Sequence, residues 1–510
     1  MTEKVSWDRT EESSWESQLA DTARAEATTI VRAFRKEGIE IGAARDLAVE
    51  EPSVDPHGIA FMHAKDHILT REQYLGGDGG NLREPQNTEG PSKQRGVLDI
   101  LRGQEVTEYQ LTRVVRDVVL LCLNPRHGDH ASDDWGTPEG DRGTAEGERP
   151  DVLDLLNLID DELGVGIATP DQVVTAANGA IGPCSATEPE QVWAGTGPYP
   201  AVCRDGGARV RIFVADTGLL HDAGAMFPWL DGVRGDDDPR TSSYPSGTIL
   251  PYGGHGTFVA GVLRCMAPEA QVHVANIFNI AGSALESDFV RRLNQAFGFG
   301  FEILHLTASC MTRNNVQLIA LETWLELLAS YKGVVCVAPA GNNDTRRPSW
   351  PGAFPGVISV GALAADWRSR AWFSDYGGWV DVYAPGQKLI NALGLGTYTC
   401  QIPPASGGMP RIFSGLAQWS GTSFSAPIVT GLIAARMARC GESAREAAAA
   451  LLARARAQTI PGVGPVLLPS CGDDDDECCG GRGRGRGRCG SGRCGDDRCD
   501  RDRSGCGHCG

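Results

Sequence analysis

No stretch of this 510-residue chain is apolar for long enough to cross a bilayer. The longest runs, "VVLLCL" (118–123) and "VVCVAPA" (334–340), fall far short of the roughly 20 residues a spanning helix needs. The start, "MTEKVSWDRTEESSWESQLADTARAEATTI", is acidic and polar and lacks the apolar core of a secretory signal. No membrane association is therefore expected, and the expected location is cytoplasmic, with export by a route without a signal peptide left open. Positive charge is also short: Lys and Arg number 47 against 65 Asp and Glu, a formal charge of −18. That balance argues against a general nucleic-acid binder and for a self-repelling surface. The last 40 residues contain no Ala, Val, Leu, Ile, Met, Phe, Trp or Tyr, so they cannot bury a core.

Of the 16 cysteines, eight crowd into those 40 residues and eight are scattered before them. The scattered set, Cys265, Cys310 and Cys336 among it, lies in apolar surroundings and reads as reduced core thiols. The terminal set leaves three readings. A disordered appendage and zinc or redox cross-linking through Cys489, Cys494, Cys499, Cys506 and Cys509 both fit; RNA binding by the Arg-Gly repeats lacks the aromatics that would stack on bases.

Hydropathy patterning divides the rest. Residues 1–124 read as an N-terminal helical region of unnamed role, with helical spacing over 14–37 and 97–123 around a break at 76–96. Residues 125–150 form a charged, Gly-rich linker. Residues 151–184 suggest a helix followed by a strand, and 185–207 a second linker. From 208 to 458 short Val- and Ile-rich runs ("ARVRIFVAD", "QVHVANIF", "FEILHLTA", "GVVCVAPA", "GVISVGAL") alternate with helical patterns at 255–266, 286–298 and 314–330. Buried strands alternating with helices predict an α/β fold, a doubly wound, mostly parallel sheet with helices on both faces. Residues 459–510 complete the chain as a tail expected to be disordered.

In such a sheet the working residues gather beyond the carboxyl ends of the strands. "RIFVADTGLLHD" ends a strand in Asp216, "GGHGTFVAGVLRCMA" sets His255 between glycines at a helix start, and "QWSGTSFSAPIVTGLIA" offers Ser423 at the mouth of another helix. A serine hydroxyl becomes a nucleophile when a base takes its proton and a carboxylate orients that base. "VVCVAPAGNND" ends a strand near Asn342, whose amide is suited to a developing oxyanion. Singly, each residue is more often a cap, a core histidine or a turn former. Four in one domain, each at a strand or helix end, favour chemistry.

The order Asp, His, Asn, Ser, carried by "DTG", "GHGTFVAG", "AGN" and "GTSFSAP", resembles the subtilisin-like serine peptidases over roughly residues 205–458. The resemblance implies a serine endopeptidase acting on polypeptides through an acyl-enzyme, with Asp216, His255 and Ser423 as the triad and Asn342 as oxyanion donor. Thr307, Ala308 and Ser309 of "HLTASC" would line the edge that pairs with substrate backbone, where the family's Gly-Gly is absent. No cofactor is required for this chemistry. A structural calcium at "RGDDDPR" (234–240) competes with the simpler reading of a solvated charge run. The family's frequent inhibitory amino-terminal segment suggests intramolecular inhibition by residues 151–184 until cleavage within 185–207, with a simple α/β adaptor as the alternative. A narrow maturation peptidase and a non-catalytic peptide-binding scaffold remain alternatives, and the sequence is silent on oligomeric state.

Overall fold

A computed structural model of the chain describes residues 26–44, 61–76, 95–123, 151–176, 186–241, 247–401 and 408–470. Residues 14–25, most of the break at 76–96, the linker at 125–150 and the cysteine-rich residues from 471 onward lie outside them.

The first half opens with helix α1 (26–36) and builds a sheet from β1 (Ile41–Ala44), β2 (Phe61–Arg71), β3 (Gln110–Val115), β4 (Val118–Cys122) and β5 (Ala168–Thr175), with helices α2 (Val97–Gly103) and α3 (Val152–Leu163). The helix expected across 97–123 is therefore confined to α2, and the rest is the hairpin β3–β4. The reason is local: Val114, Val115, Val118 and Val119 are β-branched and flank a turn at Arg116, which takes a positive φ of 46°. The described part of residues 1–124 is thus mixed α and β rather than helical. Nor are 1–124 and 151–184 separate bodies, because β5 pairs antiparallel with β2. Both faces of this sheet are covered, which explains why "VVLLC" has no polar alternation. Val119 and Leu121 pack with Leu98, Leu101, Leu155 and Ile159 of α2 and α3, while Val118 and Leu120 face the second half of the chain.

That second half begins with edge strand β6 (Glu190–Gln191) and then forms a seven-stranded sheet in the order β15-β14-β13-β12-β7-β10-β8, every pair parallel. Its strands are β7 (Arg211–Asp216), β8 (Arg234–Gly235), β10 (Gln271–Asn276), β12 (Ile303–Leu306), β13 (Val335–Pro339), β14 (Val357–Leu363) and β15 (Val382–Pro385). Along β7 successive side chains serve opposite layers. Ile212 and Val214 join the core under α5 (His255–Met266), α8 (Thr422–Cys440) and α9 (Ala444–Ala457); Phe213 and Ala215 join that under α6 (Glu286–Leu293) and α7 (Ile319–Ala329). A short helix, α4 (Ala223–Met226), follows β7. The outer faces of α6 and α7 receive the N-terminal sheet, so Phe289, Val290, Ile319 and Trp324 share a core with Leu69, Val118 and Leu120.

A small third sheet runs β6-β17-β16-β9, built on the long hairpin β16 (Leu389–Thr399) and β17 (Pro410–Trp419), with β9 (Thr248–Ile249) at its edge. It corrects the linker reading of 185–207. Ala186 N–H donates to Ser420 O, Tyr398 Oη donates to the buried Glu188, and β6 pairs antiparallel with β17. The tail also starts later than 459: Val466 and Leu467 are buried and backbone bonds tie Pro465 and Leu467 to Tyr383. Among the described cysteines, 122, 265, 310 and 336 are free thiols, but Cys203 and Cys440 are disulfide-bonded, against the reading of the scattered set as uniformly reduced. Among the described residues no helix is long and apolar enough to cross a membrane.

Candidate active site

Strand order reverses at β7, with β10 on one side and β12 on the other, and the crevice at such a point lies beyond the strand's carboxyl end. Asp216 is the last residue of β7 and is fully buried. Its Oδ1 accepts from the Thr217 N–H and lies 2.8 Å from His255 Nδ1. His255 opens α5 because Gly254 before it adopts a left-handed φ of 78°, and a Cβ there would strike Leu393. The imidazole stands in an aromatic slot, edge-on to Trp419 and beside Phe424 at centroid distances of 5.6 and 5.2 Å. Its Nε2 is buried and has no hydrogen-bond partner.

Ser423 is the second residue of α8, in the first turn, where backbone N–H groups are unpaired within the helix. Its neighbour Thr422 holds Asn342: the Thr422 N–H and Oγ1–H both donate to Asn342 Oδ1, at 2.8 and 3.0 Å. That fixes the amide's orientation and leaves Asn342 Nδ2, a buried donor, without an acceptor. An orphaned donor at a helix mouth is what an oxyanion site presents before the anion forms. The loop bearing Asn342 is organised by Asp375, which accepts from the Asn343 and Thr345 N–H groups; burial pushes its pKa up to about 7. Gly341 passes this carboxylate so closely that a Cβ would lie 2.2 Å from Asp375 Oδ2.

A second layer grips the pair of Asp216 and His255. Thr217 Oγ1 accepts from Gly256 N–H, and Asp238 Oδ2 accepts from Gly254 N–H, so both flanks of His255 are tied. Asp238 in turn pairs with Arg240 at 2.9 Å, both side chains fully buried. The Arg240 guanidinium also donates to the carbonyls of Thr217, Phe278 and Asn279. The acidic run thereby has protein partners: Asp236 accepts from Asn276 N–H, Asp237 pairs with His221, and Asp238 with Arg240. His221 is exposed and paired there, not at the triad. The described Asp/His/Cys group with metal-ligand donors close together is Asp66, His67 and Cys122, on β2 and β4 of the N-terminal sheet.

Sequence patterning missed Asp375 and the roles of Asp238 and Arg240, which it read only as part of the charged run 234–240, since a charge in a loop carries no sign of burial. It also missed His305, an imidazole inside the apolar "ILHL". That ring bonds Thr430 Oγ1 of α8 at 2.8 Å, and burial holds its pKa down to about 4, so it serves as a neutral tie between β12 and α8. Of the expected substrate edge, Thr307 Oγ1 donates inward to Ala215 O and Ala308 is fully buried. Cys310 beyond it is buried and free, its thiol pushed up by burial. Ser309 alone offers its backbone, and the backbone it meets belongs to this chain.

At the end of β5, Thr175 exchanges both backbone bonds with Ser309, at 3.3 and 3.0 Å. On its other side β5 pairs antiparallel with β11 (Ser283–Leu285). Ala176 N–H donates to Gly282 O at 2.8 Å, and Ser423 Oγ lies 3.5 Å from Ala176 O, turned toward this carbonyl rather than toward His255.

The subtilase family model matches residues 207–464, slightly more than half of the chain. The chain belongs to the subtilase family. It is 30% identical over 244 residues to the thermophilic serine proteinase of Bacillus sp. (strain AK1), a match covering 45% of this subtilase and 52% of that protein. The chain spans about half the length of the curated relatives it matches. Similar solved structures include a cold adapted subtilisin-like serine proteinase, 20% identical with a TM-score of 0.40, covering 52% of this subtilase and 91% of that chain. Another is the prenylagaramide maturation protease PagA, 25% identical with a TM-score of 0.38, covering 49% and 85%.

Proposed function

We propose that this subtilase is a serine endopeptidase. The observation that carries the reading is the fully buried contact of Asp216 with His255 at 2.8 Å, with the His255 ring packed against Phe424, the residue after Ser423, and the unpaired Asn342 amide held by Thr422, the residue before it. In the reaction His255 Nε2 takes the Ser423 proton, Ser423 attacks a peptide carbonyl, and Asp216 holds the tautomer and balances the imidazolium. Asn342 Nδ2 and a first-turn N–H of α8 receive the oxyanion. The step requires the Ser423 hydroxyl to turn from the Ala176 carbonyl to the partnerless His255 Nε2. Catalytic hydrogen bonds commonly tighten only in the productive complex.

Residues 151–176 restrain the enzyme by lying in the cleft, as the backbone pairing with Ser309 and β11 supports. The experiment is fluorophosphonate labelling of wild type and Ser423→Ala, with casein hydrolysis beside it. Labelling mapped to Ser423 with casein cleavage is expected. Labelling without casein cleavage selects a narrow peptidase acting on one precursor, and the absence of labelling at Ser423 sinks the enzyme reading in favour of a peptide-binding scaffold.

A further inference from the structure

Neighbours along a regular strand point to opposite faces, so Asp66 and His67 of β2 should not converge on one spot. The pairing of β2 with β5 breaks that rule. His63 stands opposite Gln172 and Ile68 opposite Pro170, which leaves residues 64–67 of β2 facing Asp171 alone. A bulge of this kind re-aims side chains. Here it brings the Asp66 carboxylate to the His67 ring, with Oδ1 3.7 Å from Nε2. Across the other edge of β2, His67 is the direct partner of Cys122 on β4, a half-buried free thiol. Asp66, His67 and Cys122 thus offer a carboxylate oxygen, a ring nitrogen and a sulfur within 4.8 Å of one another. Asp66 Oδ1 is buried and accepts no hydrogen bond.

The remaining ring nitrogen has a partner of its own. His67 Nδ1 lies 3.4 Å from Oδ2 of Asp171, a fully buried carboxylate that also accepts from Ser287 N–H and Oγ–H. A carboxylate behind an imidazole fixes the tautomer that leaves Nε2 free to ligate, as it does behind metal-bound histidines. We propose that Asp66, His67 and Cys122 form a site for a zinc-class divalent cation on the N-terminal sheet, with Asp171 orienting His67 from behind. The donor set selects the ion: sulfur and imidazole suit zinc, whereas calcium and magnesium take oxygen ligands. Zinc bonds of about 2.0–2.3 Å set tetrahedral ligands about 3.3–3.8 Å apart. Asp66 and His67 already have that spacing, and all three residues are half-buried, which leaves the fourth position to solvent. In the metal-free protein a proton takes the ion's place: burial opposes it, but Asp171, Cys122 and Asp66 raise His67 from 6.5 to about 10. The ion joins β2 to β4 and, through Asp171, braces β5 against the start of α6. It stands apart from the triad and does not depend on the peptidase reading.

The test uses the full-length protein freed of metal by chelation, with zinc chloride as the probe. The readout is taken at Cys122 itself, because the terminal cysteines are further thiols. Alkylation mapped by mass spectrometry is expected to show Cys122 protected by zinc and unprotected by magnesium, since a ligated thiolate is no longer free to attack. Bound zinc is expected to fall by one per chain in Cys122→Ser and in His67→Gln, with folding checked by circular dichroism. Asp171→Asn is expected to weaken that zinc about 10–100-fold. Equal alkylation of wild-type Cys122 with and without zinc overturns the site, whatever the variants do. An unchanged zinc count in folded Cys122→Ser and His67→Gln overturns it as well.

Discussion

The two halves of the described chain are both sheets covered on two faces, yet they hold themselves together differently. The parallel sheet of the peptidase half owns both its layers, α5, α8 and α9 on one side and α6 and α7 on the other. The antiparallel N-terminal sheet has α2 and α3 on one face and α1 packed against β1, β2 and β5, and it borrows α6 and α7 to complete its core. Its polar ties to the peptidase half run through carboxylates. Asp171 accepts from Ser287 N–H and Oγ–H at the start of α6, Asp160 pairs with Arg313 at 2.7 Å, and Glu26 accepts from Tyr252 Oη beside the His255 loop. A half that completes its core on another's surface is the half that can be removed. The site geometry depends on the Asp238–Arg240 grip, which lies wholly within the peptidase half.

Four measurements would sharpen or break that contrast. The largest effect belongs to Ser423→Ala, which should lower turnover on the order of 10⁶-fold, the size known for the matching serine of subtilisin itself; retention of proteolysis would end the assignment. Next, Arg240→Met leaves Asp238 buried without its counter-charge and should cost about 3–5 kcal/mol in denaturant unfolding of the peptidase half. A change below about 0.5 kcal/mol there would show that the grip is ornamental. Asn342→Ala should lower kcat about 10²–10³-fold with little change in KM, again a magnitude drawn from subtilisin.

The smallest effect is pH dependence at the borrowed interface. Burial raises Glu26 and Glu286 from an ordinary value near 4.5 to about 8. Between those values the folded state binds more protons than the unfolded, so their contribution to stability falls as pH climbs from about 4.5 to 8. His67 acts with the same sign at higher pH. Burial works against its charge, but Asp171, Cys122 and Asp66 outweigh burial and raise it from 6.5 to about 10, so its contribution fades between those values. The N-terminal half should therefore show lower amide protection, relative to the intrinsic exchange rate at each pH, at pH 8.5 than at pH 5.5, with the difference reduced in Glu26→Gln. Identical protection at both values would remove the carboxylates from the account.

The legibility of the chain differs between the halves for the same reason. Asp216, His255, Asn342 and Ser423 were readable because each sits where a local rule changes, at the end of an apolar run or the mouth of a helix beside a glycine. Positions 97–123 were misread because "VVLLC" is apolar at every residue, and a run buried on both faces has no period to tell strand from helix. Residues 185–207 looked like a linker because β6 is two residues long, and its pairing with β17 joins positions more than 200 apart. His305 and Arg240 gave no sign of their roles, since a buried imidazole or guanidinium is recognised by its partners and not by its neighbours in sequence.

What the sequence determined by itself is the local part: which stretches become strands and helices of the parallel domain, and which reactive groups stand at their ends, because backbone preference and apolar spacing act within a few residues. Only the tertiary structure decided that β5 runs between β11 and Ser309 and that the carbonyl of Ala176, just beyond its end, meets Ser423. An exposed strand edge offers N–H and C=O groups that any extended segment can satisfy. Which segment fills it depends on burial of Val173 and Val174 against distant surfaces, and no local pattern encodes that.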